Sequence, residues 1–192
     1  TASGTLSDGS TIVVNADGTV SAAGDVSLPQ EVGSPAVFES ANTIYIAVTY
    51  DSNAQKVVIA YRDAGNSNYG TAVVGTVSGT SISFGTPVVF ESTSTAYIGA
   101  TYDSNAQKVV IAYRNFVGTE SGKAVVGTVS GTSISFGSPA VYNSGSTAFT
   151  SIAYDANAQK VVIAYQDGTN NNYGAAIVGT VSGTSISFGT RT

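Results

Sequence analysis

The sequence predicts an all-β fold made of three four-stranded antiparallel repeats, and three observations carry that prediction. Tyr50-Asp51-Ser52-Asn53-Ala54-Gln55-Lys56-Val57-Val58-Ile59-Ala60-Tyr61-Arg62 returns unchanged at Tyr102 to Arg114, and with two substitutions at Tyr154 to Gln166. A second block, Val74 to Gly85, recurs identically at Val126 to Gly137 and Val178 to Gly189, which sets a period of 52 residues. Between the blocks, Val, Ile, Thr, Tyr, Gly and Ser dominate, while Leu occurs only at Leu6 and Leu28. That bias disfavours helix and suits short strands on pleated surfaces. A period of this length falls in the range of propeller blades, so the expected architecture is a set of β-propeller-type blades.

The organisation expected along the chain is an N-terminal β-arm and linker over residues 1–32, followed by blades at 33–85, 86–137 and 138–192. In the arm, Asp8-Gly9 and Asp17-Gly18 are turn dipeptides flanking one alternating strand, and Gly24 to Gly33 reads as a linker. Within the first blade the four strands fall at roughly Ile44–Tyr50, Lys56–Arg62, Gly70–Val77 and Ser81–Phe90. Asp51 and Asn53 suit the turn between the first two, and Ser78-Gly79-Thr80 suits a tight hairpin between the last two. The first two strands are nearly continuous in apolar residues, as when both faces are covered, whereas Ser81-Ile82-Ser83-Phe84 alternates like an outer strand. Pro35, Pro87 and Pro139 share one phase of the repeat and belong at an edge or a break, because proline has no N–H to give to a ladder.

Three blades do not complete a propeller, which usually has four to eight, so closure is expected by oligomerisation. The last repeat stops at Gly189-Thr190-Arg191-Thr192 where the others run on through proline, and Ser34-Pro35-Ala36-Val37-Phe38 carries the segment it lacks. Head-to-tail pairing of blades in a homo-oligomer follows as the expectation.

The two repeated blocks resemble the tandem propeller-type repeats of marine bacteriophage tail-fibre-like and virion structural proteins. The resemblance covers residues 33 to 189, and the arm is similar to short β-segments of phage structural proteins. It implies a virion-surface protein concerned with host attachment or decoration and carries over no binding residue.

Composition narrows the function classes. A net charge of −5 with seven Lys and Arg leaves no basic stripe for a phosphate backbone, so nucleic acid is not an expected partner. No apolar run approaches the roughly 18–20 residues of a membrane-spanning helix, so membrane insertion is not expected either. Cys, His, Met and Trp are absent, which removes thiol nucleophiles, imidazole bases and the commonest zinc and copper ligands. The expectation is a protein that is not an enzyme, with no catalytic residue, cofactor or metal. Asp51-x-Asn53 and its copies resemble the opening of a calcium loop, but the later acidic ligands are missing and a turn-capping role fits better. The acidic residues Glu39, Glu91, Asp63 and Asp167 recur at equivalent positions and read as structural or solvated rather than as a catalytic pair. Tyr50, Tyr61, Tyr102, Tyr113, Tyr154 and Tyr165 read as packing between blades with hydroxyls reaching polar partners.

The repeats differ from one another mainly in two links, the one before the first strand of each blade and the one between its second and third strands. In an up-and-down blade these links emerge at one end and the two invariant hairpins at the other. Loops on a rigid scaffold concentrate binding residues. The expected recognition face therefore carries Asn66, Asn68, Tyr69, Asn171, Asn172 and Tyr173, joined by Tyr45 and Tyr97 near the variable links. Amides and tyrosines suit hydrogen bonding to sugars and stacking on them. The expected function is a non-enzymatic extracellular or virion-surface repeat protein attaching to a host glycan or another surface polymer. The alternative is a structural spacer, decoration or filament-forming protein.

Overall fold

The computed structural model describes residues 12–22 and 32–190. Strand β1 (Ile12–Val14) and strand β2 (Val20–Ala22) form an antiparallel hairpin of their own. Asp17 makes its turn, accepting hydrogen bonds at Oδ1 from the Thr19 amide at 2.9 Å and from the Thr19 hydroxyl. The sequence reading placed one strand there and missed the short strand after Asp17-Gly18. Residues 1–11 and 23–31 of the expected arm and linker lie outside the described residues.

Residues 34–192 form a second compact unit. Its elements are β3 (Thr43–Asp51), β4 (Lys56–Asp63), β5 (Tyr69–Ser78) and β6 (Ser81–Phe84), then β7 (Val88–Asp103), β8 (Lys108–Asn115), β9 (Gly122–Ser130) and β10 (Ser133–Phe136). They continue with β11 (Ala140–Asn143), β12 (Thr147–Asp155), β13 (Lys160–Asp167), β14 (Tyr173–Ser182) and β15 (Ser185–Phe188). No helix occurs among the described residues, and every pairing is antiparallel. The repeat is visible as one register used three times: Asp51 faces Lys56, Asp103 faces Lys108 and Asp155 faces Lys160.

Hydrogen bonding does not divide this unit into three separate sheets. The outer strand expected over Ser81–Phe90 breaks at Gly85-Thr86-Pro87, where proline removes a donor. Beyond the break, β7 pairs by its first half with β5, at Ala72–Val88 and Thr71–Val89, and by its second half with β8. One strand thereby welds two repeats into a nine-stranded sheet, while β12 to β15 form a four-stranded sheet. No sheet closes on itself among the described residues. The expected boundary between the first two blades, after residue 85, falls in this break, and residues 88–94 beyond it hydrogen-bond to β5 of the repeat before them. At the next junction Gly145 replaces Thr93, and Asn143 donates from Nδ2 to Gly145 O and Thr147 Oγ1, so a side-chain turn separates β11 from β12.

Consecutive repeats pack face to face with unequal side chains. Small residues of one repeat, Val58, Ala60, Ala72 and Val74, meet Val109, Ile111, Tyr113 and Val125 of the next in one core. Val110, Ala112, Ala124 and Val126 meet Val161, Ile163, Tyr165 and Ile177 in a second. Each core is completed by an aromatic from the strand that follows the proline. Phe90 lies 5.1 Å from Tyr113 and 5.8 Å from Phe136, and Tyr142 lies 5.2 Å from Tyr165 and 5.9 Å from Phe188. Phe38 repeats the arrangement on Tyr61 and Phe84.

Asp51, Asp103 and Asp155 cap the turns after β3, β7 and β12, as the turn-capping reading holds. Asp103 Oδ1 accepts from the amides of Asn105 at 3.0 Å and Ala106 at 2.9 Å, and the other two copies bond in the same way. Asp103 is buried and Asp155 exposed. Removing a buried acceptor leaves its donors unpaired at about 1–3 kcal/mol. Asp103→Ala is therefore expected to lower stability by about that amount, Asp103→Asn to recover most of it, and Asp155→Ala to cost less, as read by denaturant titration.

Candidate functional site

The antiparallel register puts the two variable links at one end of every repeat. At that end Thr43 faces Asp63 across β3 and β4, and the opposite end carries the Asp51–Lys56 hairpin. The links are tied together by backbone bonds: the Ala64 amide donates to Asn42 O at 3.1 Å, Phe116 to Ser94 O at 2.9 Å and Gly168 to Ser146 O at 2.8 Å. Asp63, Asn115 and Asp167 hold the second link, each accepting at Oδ1 from amides two or three residues ahead.

An aromatic ladder crosses the repeats at this end. Tyr45 lies 5.2 Å from Tyr97, and Tyr97 lies 5.2 Å from Phe149, ring centre to ring centre. Each ring stands on a bulge, where the register of β3, β7 and β12 slips between Ile44 and Ala47, Ala96 and Gly99, and Ala148 and Ser151. The bulge residues adopt left-handed backbone, with φ of 55° at Tyr45, 50° at Tyr97 and 50° at Phe149. A bulky side chain in that region costs on the order of 1–3 kcal/mol, and such strain clusters at functional positions. Here it recurs at all three copies and re-aims a ring each time.

Cations and amides border the ladder. The Arg62 guanidinium lies 5.9 Å from the Tyr45 ring centre, and its Nε donates to Asn68 Oδ1 at 2.9 Å. Arg114 lies 5.7 Å from the Tyr97 ring and 4.5 Å from the Phe116 ring, and it pairs with Glu120. In the third repeat Gln166 stands at that position, and Phe149 is 68% exposed where Tyr45 and Tyr97 are half-buried. The three repeats thus present an amide, a carboxylate and an open ring on one scaffold.

The structure joins Tyr45 to Asn68 through Arg62 and to Tyr97 by ring contact. Asn66 is exposed and its backbone makes the loop turn, donating to Asp63 O and accepting from the Tyr69 amide. Tyr69 is half-buried and pairs in register with Asp63 and Ser94. Asn171, Asn172 and Tyr173 are exposed at the equivalent loop of the third repeat, with left-handed φ at both asparagines. Sequence reasoning missed Arg62, Arg114, Phe116, Glu120 and Phe149. The Arg-to-Gln change, one of two substitutions in the third copy of the block, and Phe149 at the phase of Tyr45 were the signals available.

A buried polar cluster lies between the first two repeats. Glu91 accepts from Tyr113 Oη at 3.0 Å, Asn115 Nδ2 at 3.0 Å and Lys123 Nζ at 3.1 Å. Burial alone would raise its carboxyl, but the Lys123 and Tyr113 bonds, the Lys123 charge and Asn115 outweigh burial and hold it below the ordinary carboxylate range. Burial first, then the Glu91 charge and hydrogen bond, push the Tyr113 hydroxyl well above its usual value, so it stays a neutral donor. With all three donors directed at it, this carboxylate is a structural anchor. Tyr61 and Glu39 repeat the bond at 3.3 Å in the first repeat.

No family model, curated protein or solved structure matches the chain, so the resemblance to phage fibre repeats rests on its two sequence blocks alone.

Proposed function

We propose that this chain is a non-enzymatic binding repeat of a virion or cell surface, and that its propeller-type units engage a glycan or similar hydroxyl-rich surface polymer through the variable end. The ladder of Tyr45, Tyr97 and Phe149 on strained bulges is the observation that carries this reading. Rings offer flat apolar faces to sugar C–H groups, while Arg62, Asn68, Glu120 and the exposed Asn171 and Asn172 supply donors and acceptors for hydroxyls. The binding chemistry proposed uses no cofactor or metal.

A glycan array probed with the chain tests the proposal. Phe149→Ala removes an exposed ring, so it should leave the fold intact and weaken binding about tenfold, the worth of one stacking contact of about 1.4 kcal/mol. Exchanging the 63–69 loop with the 115–121 loop should change the glycan preference. Substitutions at Ser52 or Asn53, at the opposite end, should leave binding unchanged. Binding lost at Asn53 and retained at Phe149 would overturn the assignment.

A further inference from the structure

We infer that the outer edge of β14 and the adjoining face around Val178 form a docking site for a second copy of this chain, which adds its residues Ser34–Glu39 to that edge as a strand. The chain makes the same addition twice within itself. Val88, Val89 and Glu91 pair with Ala72, Thr71 and Gly70 of β5, and Ala140, Val141 and Asn143 pair with Ala124, Lys123 and Gly122 of β9. In the third repeat the equivalent edge, Gly174 to Ala176, pairs with no strand among the described residues.

The seat for the incoming strand is already shaped. A Cβ at Gly70 would fall on the Phe90 ring, and a Cβ at Gly122 on the Tyr142 ring, so both glycines exist to admit an aromatic. Gly174 keeps the glycine, yet nothing lies within 4 Å of the place its Cβ would take. Around it the face that is closed inside the molecule is open. Val178 is 49% exposed where Val74 is 0%, and Ala164 and Ala176 are exposed where Ala60 and Ala72 are buried.

The opposite end of the molecule carries the complement. Phe38 already sits on Tyr61 and Phe84 as Phe90 sits on Tyr113 and Phe136, but its segment, residues 34–39, pairs with no strand among the described residues and Val37 is 79% exposed. On β3 of the same repeat Ile46, Val48 and Tyr50 are exposed, whereas Ile98 at the phase of Ile46 is buried. Moving the internal register by whole repeats places Ala36 opposite Ala176, Val37 opposite Ala175, Glu39 opposite Gly174, and Phe38 over Gly174. An open edge accepts any extended peptide through its backbone, but this edge asks also for a ring above a glycine and a large apolar face against Val178. The described residues of this chain supply all three, which selects a second copy as the occupant. The contact is heterologous, since different surfaces meet, and it produces a ring or a filament.

Light scattering and sedimentation velocity on residues 1–192 test the inference. The chain is expected to have the mass of two or more copies. Gly174→Val adds a side chain into empty space, so it should leave the melting curve of the isolated chain unchanged while reducing the mass to one copy. Val48→Glu, on the opposite face, should also give a single copy. Because each variant spoils a different surface, mixing them should restore a two-chain particle, which a self-complementary contact would not do. A wild-type monomer, an unaltered mass in Gly174→Val, or a mixture that stays monomeric would each overturn the inference.

Discussion

Replacing Ile111 by alanine is expected to destabilise the protein by about 2–5 kcal/mol, and the same change at Ile163 by a similar amount. Both side chains are 0% exposed and sit at the centres of the two cores, where neighbours on both sides have fixed backbones and cannot collapse into the vacated volume. Ile59 occupies the same phase of the repeat but lies on the first repeat's outward face and is only half-buried. Its truncation should cost clearly less, although the surrounding sequence is identical. Equilibrium denaturation of the three variants side by side separates position in the stack from local sequence. Equal losses at all three would mean that the face around Ile59 is covered as well.

The second large effect is expected at Glu91. Changing it to glutamine keeps the shape but leaves Lys123 without its counter-charge and weakens the bonds from Tyr113 and Asn115, at a cost on the order of 2–4 kcal/mol at neutral pH. The effect depends on pH with a definite sign. The folded carboxyl is held below its ordinary value of 4.5, so its contribution is complete above that value and is lost as pH falls through the lower folded one. Wild-type stability should therefore drop on acidification through this window, and Glu91→Gln should lack that share of the drop. Denaturant midpoints measured from neutral pH into the acid range check it. Parallel curves for the two proteins would show that Glu91 is not ionised in the folded state.

Glu91 also shows what was legible in the sequence and what was not. Strands, hairpins and their order followed from the period and from turn dipeptides, because these are local and were written three times. The buried anchor was not legible, since Glu39 and Glu91 looked like the same repeated acid. The distinguishing signal was paired: only the repeat with Asn115 in place of Asp63 carries Lys123 in place of Thr71, so a charge enters where one leaves. The bulges at Tyr45, Tyr97 and Phe149 left no local mark, because tyrosine and phenylalanine do not announce left-handed backbone as glycine does. The break at Pro87 was legible, but the hand-over of β7 from one repeat to the next within a single sheet was not. Hydrophobic pattern reports which face of a strand is covered, and it says nothing of which neighbour receives the hydrogen bonds.

That hand-over governs how the molecule comes apart under tension. A pull along the chain that opens the pairing with β5 at Phe90 loads the pairing with β8 at once, because the same unbroken strand, β7, makes both. The junction after β11 has no such through-running strand, only the turn at Ser144-Gly145-Ser146. Stretched from its two ends in a force spectrometer, the protein should release its last four strands as one early step and the nine-stranded portion as a later, single and larger one. A fibre built of such chains would give way at every third repeat and re-form there, a built-in slip point that leaves the rest of the thread wound.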